Sequence, residues 1–379
     1  MITYIMLVMW SIFLGIIFCE RDFSLKVKRK IYLFMALTPI CLMTAFRGEN
    51  VGRDTSMYID RYYVLSSFDW DFLFDVFSYD SRTEWGYAFI AKVASVFSPG
   101  SHLLFFFVIS VITYLCIAVF FYRISSNLWM TTVIYFASLM VFAPLTTMRQ
   151  EIAVAISLAF FPYLLRQDRK RYLYALGVFI GSLFHSSVLV LLFPYLIRKP
   201  RNFNAHVIRN LCIQMIIIAV GVFSIYYFFF DILTLFSVYE KDYANSIFVD
   251  GSIENHASTG MMLIRNFFLY GMPILGLMYG LYKKKYTENE AKIAYYSCFF
   301  LLLTVLFNNI GYSITILFRI AMIFDYFTCI ALPLFLIAFG RRIFMLKYAY
   351  ICLWLIYCMV RLKVQYTGQF IVDYSFFGM

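Results

Sequence analysis

The stretch LLFFFVISVITYLCIAVFFY, residues 103–122, decides what kind of molecule this is. It carries no charge and has the ~20-residue length an α-helix needs to cross a hydrocarbon layer about 30 Å thick. Similar runs extend to both sides of it, at 2–19, 31–46, 128–146, 151–165, 172–184, 186–197, 211–230, 263–282, 293–311, 320–339 and 344–361. Across the 379 residues, 63% are hydrophobic and only 14% charged. Mean hydropathy is +0.79. Soluble domains hold about 45–50% apolar residues, and one of this size cannot hide such an excess. A water-soluble enzyme is excluded, as are disordered and fibrous chains. The expected fold is all-α, a polytopic integral membrane protein of about 12 transmembrane helices, forming a single domain over 1–379. Met1 to Cys19 has no basic leader and no small-x-small cleavage site, so it reads as a retained first span.

Charge sets the orientation. The chain carries 32 Lys+Arg against 21 Asp+Glu, a net +11. Basic residues crowd the connections 20–30, 166–171, 198–209, 283–292 and 341–347. Placing these and Arg123 in the cytoplasm puts about two-thirds of the lysines and arginines inside, which leaves both termini outside. The eight cysteines lie in or beside apolar runs and include no CxxC pair, so they read as buried thiols.

Two segments are too short to span. Trp85 to Ser98 has 14 residues where a span needs about 20 and, if it crossed, would export the basic 166–171 turn. It reads as an outer-face half-helix over 85–98, ended by Ser98-Pro99-Gly100. The segment 172–197 is basic at both ends, so it is expected to enter and return as a hairpin. Its arms of about 18 Å place the tip Phe184-His185-Ser186-Ser187 within the membrane. A turn at that depth must line a protein or water-filled cavity.

Polar groups gather at the outer ends. FRGENVGRDTSMY (46–58) sets Arg47, Arg53, Glu49 and Asp54 among Gly48 and Gly52. Arginine offers phosphate oxygens a permanent charge and a fork of donors, and glycine admits close backbone approach. The same residues read equally as an interfacial loop whose charges pair with one another or with headgroups. Arg149 lies at an outer turn, where snorkelling is the bland reading and the charge rule argues against it. Arg265 and Arg319 pose the same question. Arg319 and Asp325 are six residues apart, which points them to different faces and therefore to other partners. Outer loops 47–84 and 231–262 are expected to contribute to a site. His185 is the one histidine inside an apolar run. No metal-ligand spacing, Gly-rich phosphate loop or GxSxG occurs, so no cofactor is expected. Both GxxxG matches, Gly177/Gly181 and Gly276/Gly280, read as close helix packing.

RGENVGRDTSMYIDRY (47–62), EWGY (84–87), MRQEIAVAISL (148–158), ALGVFIGSLFHSSVLV (175–190) and FRIAMIFDYF (318–327) resemble, in order, the segments of the EpsG-type family. These are Wzy-like polymerases of bacterial exopolysaccharide, capsule and O-antigen. The resemblance implies a metal-independent glycosyltransferase on the outer face of the bacterial cytoplasmic (inner) membrane. Its donor would be a glycan on undecaprenyl diphosphate and its acceptor one lipid-linked repeat unit. Arg47, Arg149 and Arg319, with Arg53 and Arg265 behind them, would hold the diphosphate. Asp54, followed by His185 and Glu84, would take the acceptor proton, and Tyr58 would stack on a sugar. Implied partners are undecaprenyl-diphosphate-linked oligosaccharide, membrane lipid, a flippase and chain-length regulator proteins; nucleic acid is not among them. A flippase should show internal symmetry and mid-membrane charge in both halves. A polysaccharide ligase would share the donor chemistry.

Overall fold

In a computed structural model of the chain, the described residues are 2–18, 26–71, 84–166, 168–197, 203, 205–227, 266–310, 315–339, 345, 349–350, 352–357 and 359–360. Arg265, most of the 231–262 loop's flanks, the loop itself and the C-terminal tail lie outside them. Among the described residues the chain is helical, without strands. Leu103–Ile124, Glu288–Asn309 and Arg319–Ala338 are long and apolar enough to cross a membrane. This is a helical membrane protein.

Packing divides the chain into two compact units, Met1–Ile197 with Tyr348–Met379, and Arg198–Lys347. Counting α-helices of ten residues or more, the first unit contains α1 (Ile2–Ile17), α2 (Lys26–Ala45), α3 (Thr55–Ser67), α4 (Trp85–Phe97), α5 (Leu103–Ile124), α6 (Leu128–Ala137), α7 (Met148–Ala159) and α8 (Tyr172–Ser182). Helix α5 is central, packed by α2, α4 and α7. Phe105, Ile109, Ile117, Phe120 and Phe121 are buried along it. The second unit contains α9 (Ala205–Tyr227), α10 (Met272–Tyr282), α11 (Glu288–Ile310) and α12 (Thr315–Ala338). Stacking of Phe300 on Phe327 at 3.7 Å joins α11 to α12.

Two of the apolar runs are broken where the sequence reads as continuous. Run 128–146 forms α6, then turns through Leu139 at a left-handed φ of 63° into the 3-10 segment Met140–Leu145, which contains Pro144. At 1.5 Å per residue α6 covers only about 15 Å. Run 151–165 is likewise divided: α7 ends at Ala159, and Pro162 opens the short turn Phe161–Leu164. The segments 85–98 and 172–197 match their expected shapes more closely. Helix α4 occupies 85–97 and ends at Ser98.

The hairpin is closed at its base. Arg171 donates to the carbonyls of Tyr195 (2.8 Å) and Ile197 (3.1 Å) and lies over the Tyr195 ring. Higher up, the Tyr174 hydroxyl donates to Leu191 O at 2.6 Å. Both ends of 172–197 therefore meet on one side, and neither arm has the length of a full span. The GxxxG faces are packing faces. A Cβ on Gly181 would come within 2.6 Å of Ala153 O on α7, and Gly177 lies against the Phe160 ring. In the second unit Gly276 lies against Phe335 of α12.

Candidate active site

The turn after α2 decides where the polar groups go. Gly52 sits at φ +91° with Leu145 O pressed against the place a Cβ would occupy, so only glycine serves there. The close contact seats the 48–54 loop on the 3-10 segment Met140–Leu145. Thr55 at the start of α3 donates to Leu145 O at 3.4 Å and is fully buried.

Arg47 is entirely buried. Its Nε donates to Thr55 Oγ1 (3.1 Å), one terminal nitrogen to Thr44 O (3.0 Å) and the other to Met148 Sδ (3.6 Å). The guanidinium carbon lies 4.4 Å from the Phe106 ring centroid. A guanidinium enclosed in this way ties α2, α3, α5 and α7 together, and each of its three nitrogens bonds a neighbouring element.

Arg149, in the first turn of α7, is placed differently. It bonds Glu84 Oε2 at 2.6 Å, with side-chain exposures of 14% and 16%. Its charge acts on the Tyr58 hydroxyl, which donates to Thr146 O at 3.4 Å, and it lies 5.7 Å from the Tyr87 ring centroid. Tyr87 donates to Tyr58 O at 3.2 Å. Glu84 occupies the N-cap position of α4 without capping it, because its carboxylate turns to Arg149 instead. Burial pushes the Glu84 carboxyl above the ordinary glutamate range, and the Arg149 charge draws it part of the way back. Burial raises the Tyr58 hydroxyl too, opposed by Arg149.

The hairpin tip joins this group. Gly86 N–H donates to Leu183 O at 2.7 Å. A Cβ on Gly86 would stand 2.8 Å from that oxygen and 3.1 Å from the Phe184 ring, so the glycine lets the start of α4 meet the tip. His185 follows two residues later and is half-buried. Its Nδ1 accepts from Ser187 N–H (3.3 Å) and lies 2.8 Å from Ser187 Oγ. That network assigns the neutral ring proton to Nε2, making that nitrogen the donor.

The remaining candidates stand apart. Asp54 is half-buried at the N-cap of α3, and its charge is felt by Tyr58 one turn on. Arg53 is exposed. Tyr58 is buried behind Arg149, so it supports the guanidinium and offers no ring face to a sugar. Arg319 is exposed on α12, within the second unit, where Asp325 accepts from Thr328 Oγ1 at 2.8 Å. Two features escape the sequence reading. Arg61, half-buried on α3, bears on both Glu84 and Tyr87. Trp85 stacks on the exposed Phe89 at 5.2 Å beside Glu84.

Residues 30–376 match the EpsG family. The chain belongs to the EpsG family. This is a polysaccharide polymerase-type family, and the match covers every element of the site from Arg47 to the hairpin. No curated protein and no solved structure matches the chain.

Proposed function

We propose that this EpsG-family protein is a polysaccharide polymerase, a glycosyltransferase that joins undecaprenyl-diphosphate-linked repeat units on the outer face of the bacterial cytoplasmic membrane. The observation that carries the reading is the Arg149–Glu84 pair at 2.6 Å, set against the tip of a membrane hairpin that presents His185. Transfer from a lipid diphosphate needs two services, because the anomeric carbon already bears its leaving group. The departing diphosphate must be stabilised, and the acceptor hydroxyl must lose a proton.

The geometry is consistent with the following division of roles. The acceptor oxygen attacks the anomeric carbon and gives its proton to Glu84, while the bond from that carbon to the diphosphate oxygen breaks and the electron pair leaves with the diphosphate. Arg149 holds the leaving group, and His185, at the tip that meets the start of α4, donates through Nε2–H to it or to a sugar hydroxyl. Glu84 leads Asp54 as proton acceptor in this reading because its carboxylate bonds Arg149 directly. Asp54 and Arg53 stand at the mouth of α3, suited to the acceptor. Arg47 and Tyr58 position Arg149 from beneath. Trp85 and Phe89 offer the stacking surface that Tyr58 does not.

Complementation of a polymerase-null strain tests this reading. Wild type restores long glycan; Glu84→Gln and Arg149→Ala, at matched membrane levels, leave single repeats on the lipid carrier in the outer leaflet. Long glycan from both variants would remove this pocket from the reaction. Single repeats stranded on the inner leaflet in the null strain would indicate a flippase.

A further inference from the structure

The Arg149–Glu84 pair is neither sealed nor solvated. A pair placed for stability alone gains little from such a position, since desolvating two charges offsets most of their attraction. A second guanidinium acts on the pair, while the Asp54 carboxylate acts on the neighbouring Tyr58 and Glu151 is buried two residues beyond Arg149. Arg61 sits one turn after Tyr58 on α3, and its charge, like that of Arg149, acts on the Glu84 carboxylate and on the Tyr87 hydroxyl. The positive end of α4 points at the same place, because Glu84 stands at that helix's N-cap without bonding its N–H groups. Glu84 thus bonds one guanidinium, feels the charge of a second and stands at a helix N-terminus.

We infer that Glu84 is a resident anion, which occupies Arg149 until the diphosphate of the lipid-linked donor displaces it and is clamped between Arg149 and Arg61. The inference rests on the polymerase reading and adds to it both a second clamp residue and a regulation of the site. The exchange is chemically favourable: a diphosphate brings more charge and more oxygens than a carboxylate, and a guanidinium fork can take two of them at once. No covalent bond changes in this step. The displaced carboxylate loses its nearest cation and gains an anion as neighbour, so it accepts a proton more readily once the donor is seated. The base is engaged by Arg149 in the empty site and released in the loaded one. Glycosyl transfer to stray water is thereby disfavoured before an acceptor arrives.

Binding, rather than polymer formation, tests the exchange. The full-length protein in detergent is titrated calorimetrically with farnesyl diphosphate and, separately, with inorganic pyrophosphate. Glu84→Gln is expected to bind both about tenfold more tightly than wild type, because the competing anion is gone. Glu84→Asp, whose carboxylate is one methylene shorter, should fall between them. Arg149→Met should abolish binding, and Arg61→Gln should weaken it about tenfold in the wild-type and Glu84→Gln backgrounds alike. Unchanged or weaker binding in Glu84→Gln and Glu84→Asp, with elution profile and Tm as in wild type, would overturn the inference. So would a gain confined to farnesyl diphosphate, which would assign the effect to the tail. Failure here leaves the complementation result, and with it the polymerase reading, standing on its own.

Discussion

Arg47 and Arg149 occupy two neighbouring pockets of the same unit, and they are used in opposite ways. Arg47 has all three nitrogens bonded to a hydroxyl, a carbonyl and a thioether, beneath Phe106 and away from solvent. Arg149 bonds a carboxylate, acts on a tyrosine hydroxyl and keeps 14% of its side chain exposed. One guanidinium has become part of the scaffold; the other remains exchangeable. Position against the usual sorting of charge therefore does not by itself mark an arginine as a ligand-binding group. What marks it is a partner that a ligand can replace.

The sharpest way to break this comparison is to remove each charge in turn. Glu84→Gln and Arg149→Ala are expected to lower polymerisation at least ~100-fold in a purified assay, with Tm within a few degrees of wild type. Arg47→Ala is expected to act through the fold instead. It leaves a cavity and unpaired polar groups, costing about 2–4 kcal/mol, so Tm and membrane yield should fall together. Arg47→Lys should not rescue it, because a point charge cannot replace the fork. Normal Tm with lost activity in Arg47→Ala would erase the distinction.

A smaller effect separates the pockets by pH. Glu84 must be ionised to accept a proton, so activity is lost as pH falls through its pKa. Burial holds that pKa above the ordinary glutamate value, so the loss begins at a higher pH than an exposed glutamate would give. The Arg149 and Arg61 charges oppose the shift, so Arg61→Gln should move the acid limb of the rate profile to still higher pH. Arg47→Lys should leave its position unchanged. An acid limb at or below the ordinary glutamate value would contradict the assignment.

Smaller again is Gly86→Ala. The added Cβ would crowd Leu183 O and separate the start of α4 from the hairpin tip, costing about 1–3 kcal/mol. Turnover should fall several-fold with KM little changed. Least affected is Arg319→Ala, exposed on α12, expected within about 0.5 kcal/mol of wild-type stability by denaturation.

Much of this architecture is legible in the sequence, because membrane segments announce themselves by length and charge. The hairpin at 172–197 follows from Arg171 and the basic residues at its far end, and the half-helix at 85–98 from its shortness. The break at Leu139 is not legible, and the one at Phe160 is signalled only by Pro162. No glycine marks the left-handed turn at Leu139, and neighbouring apolar residues read as one run whether or not a helix passes through them. The pairing of Glu84 with Arg149 joins residues brought together only by α4, α7 and the hairpin tip, so spacing could not reveal it. Likeness to the EpsG family marks both segments without saying that they touch. Arg61 was hidden by its setting, YIDRYY, which reads as an ordinary amphipathic helix; only the side of α3 that faces α4 makes it notable. The burial of Arg47 inverts the rule that arginines stay wet, and only the Thr44, Thr55 and Met148 partners explain it.

The most direct measurement is photocrosslinking of the purified protein with a polyprenyl diphosphate carrying a photoreactive group beside the diphosphate, followed by peptide mapping. Label should fall on residues 84–87, 147–151 and 183–187, and excess pyrophosphate should suppress it. Label found instead along α12 around Arg319, with none on those three segments, would contradict the account.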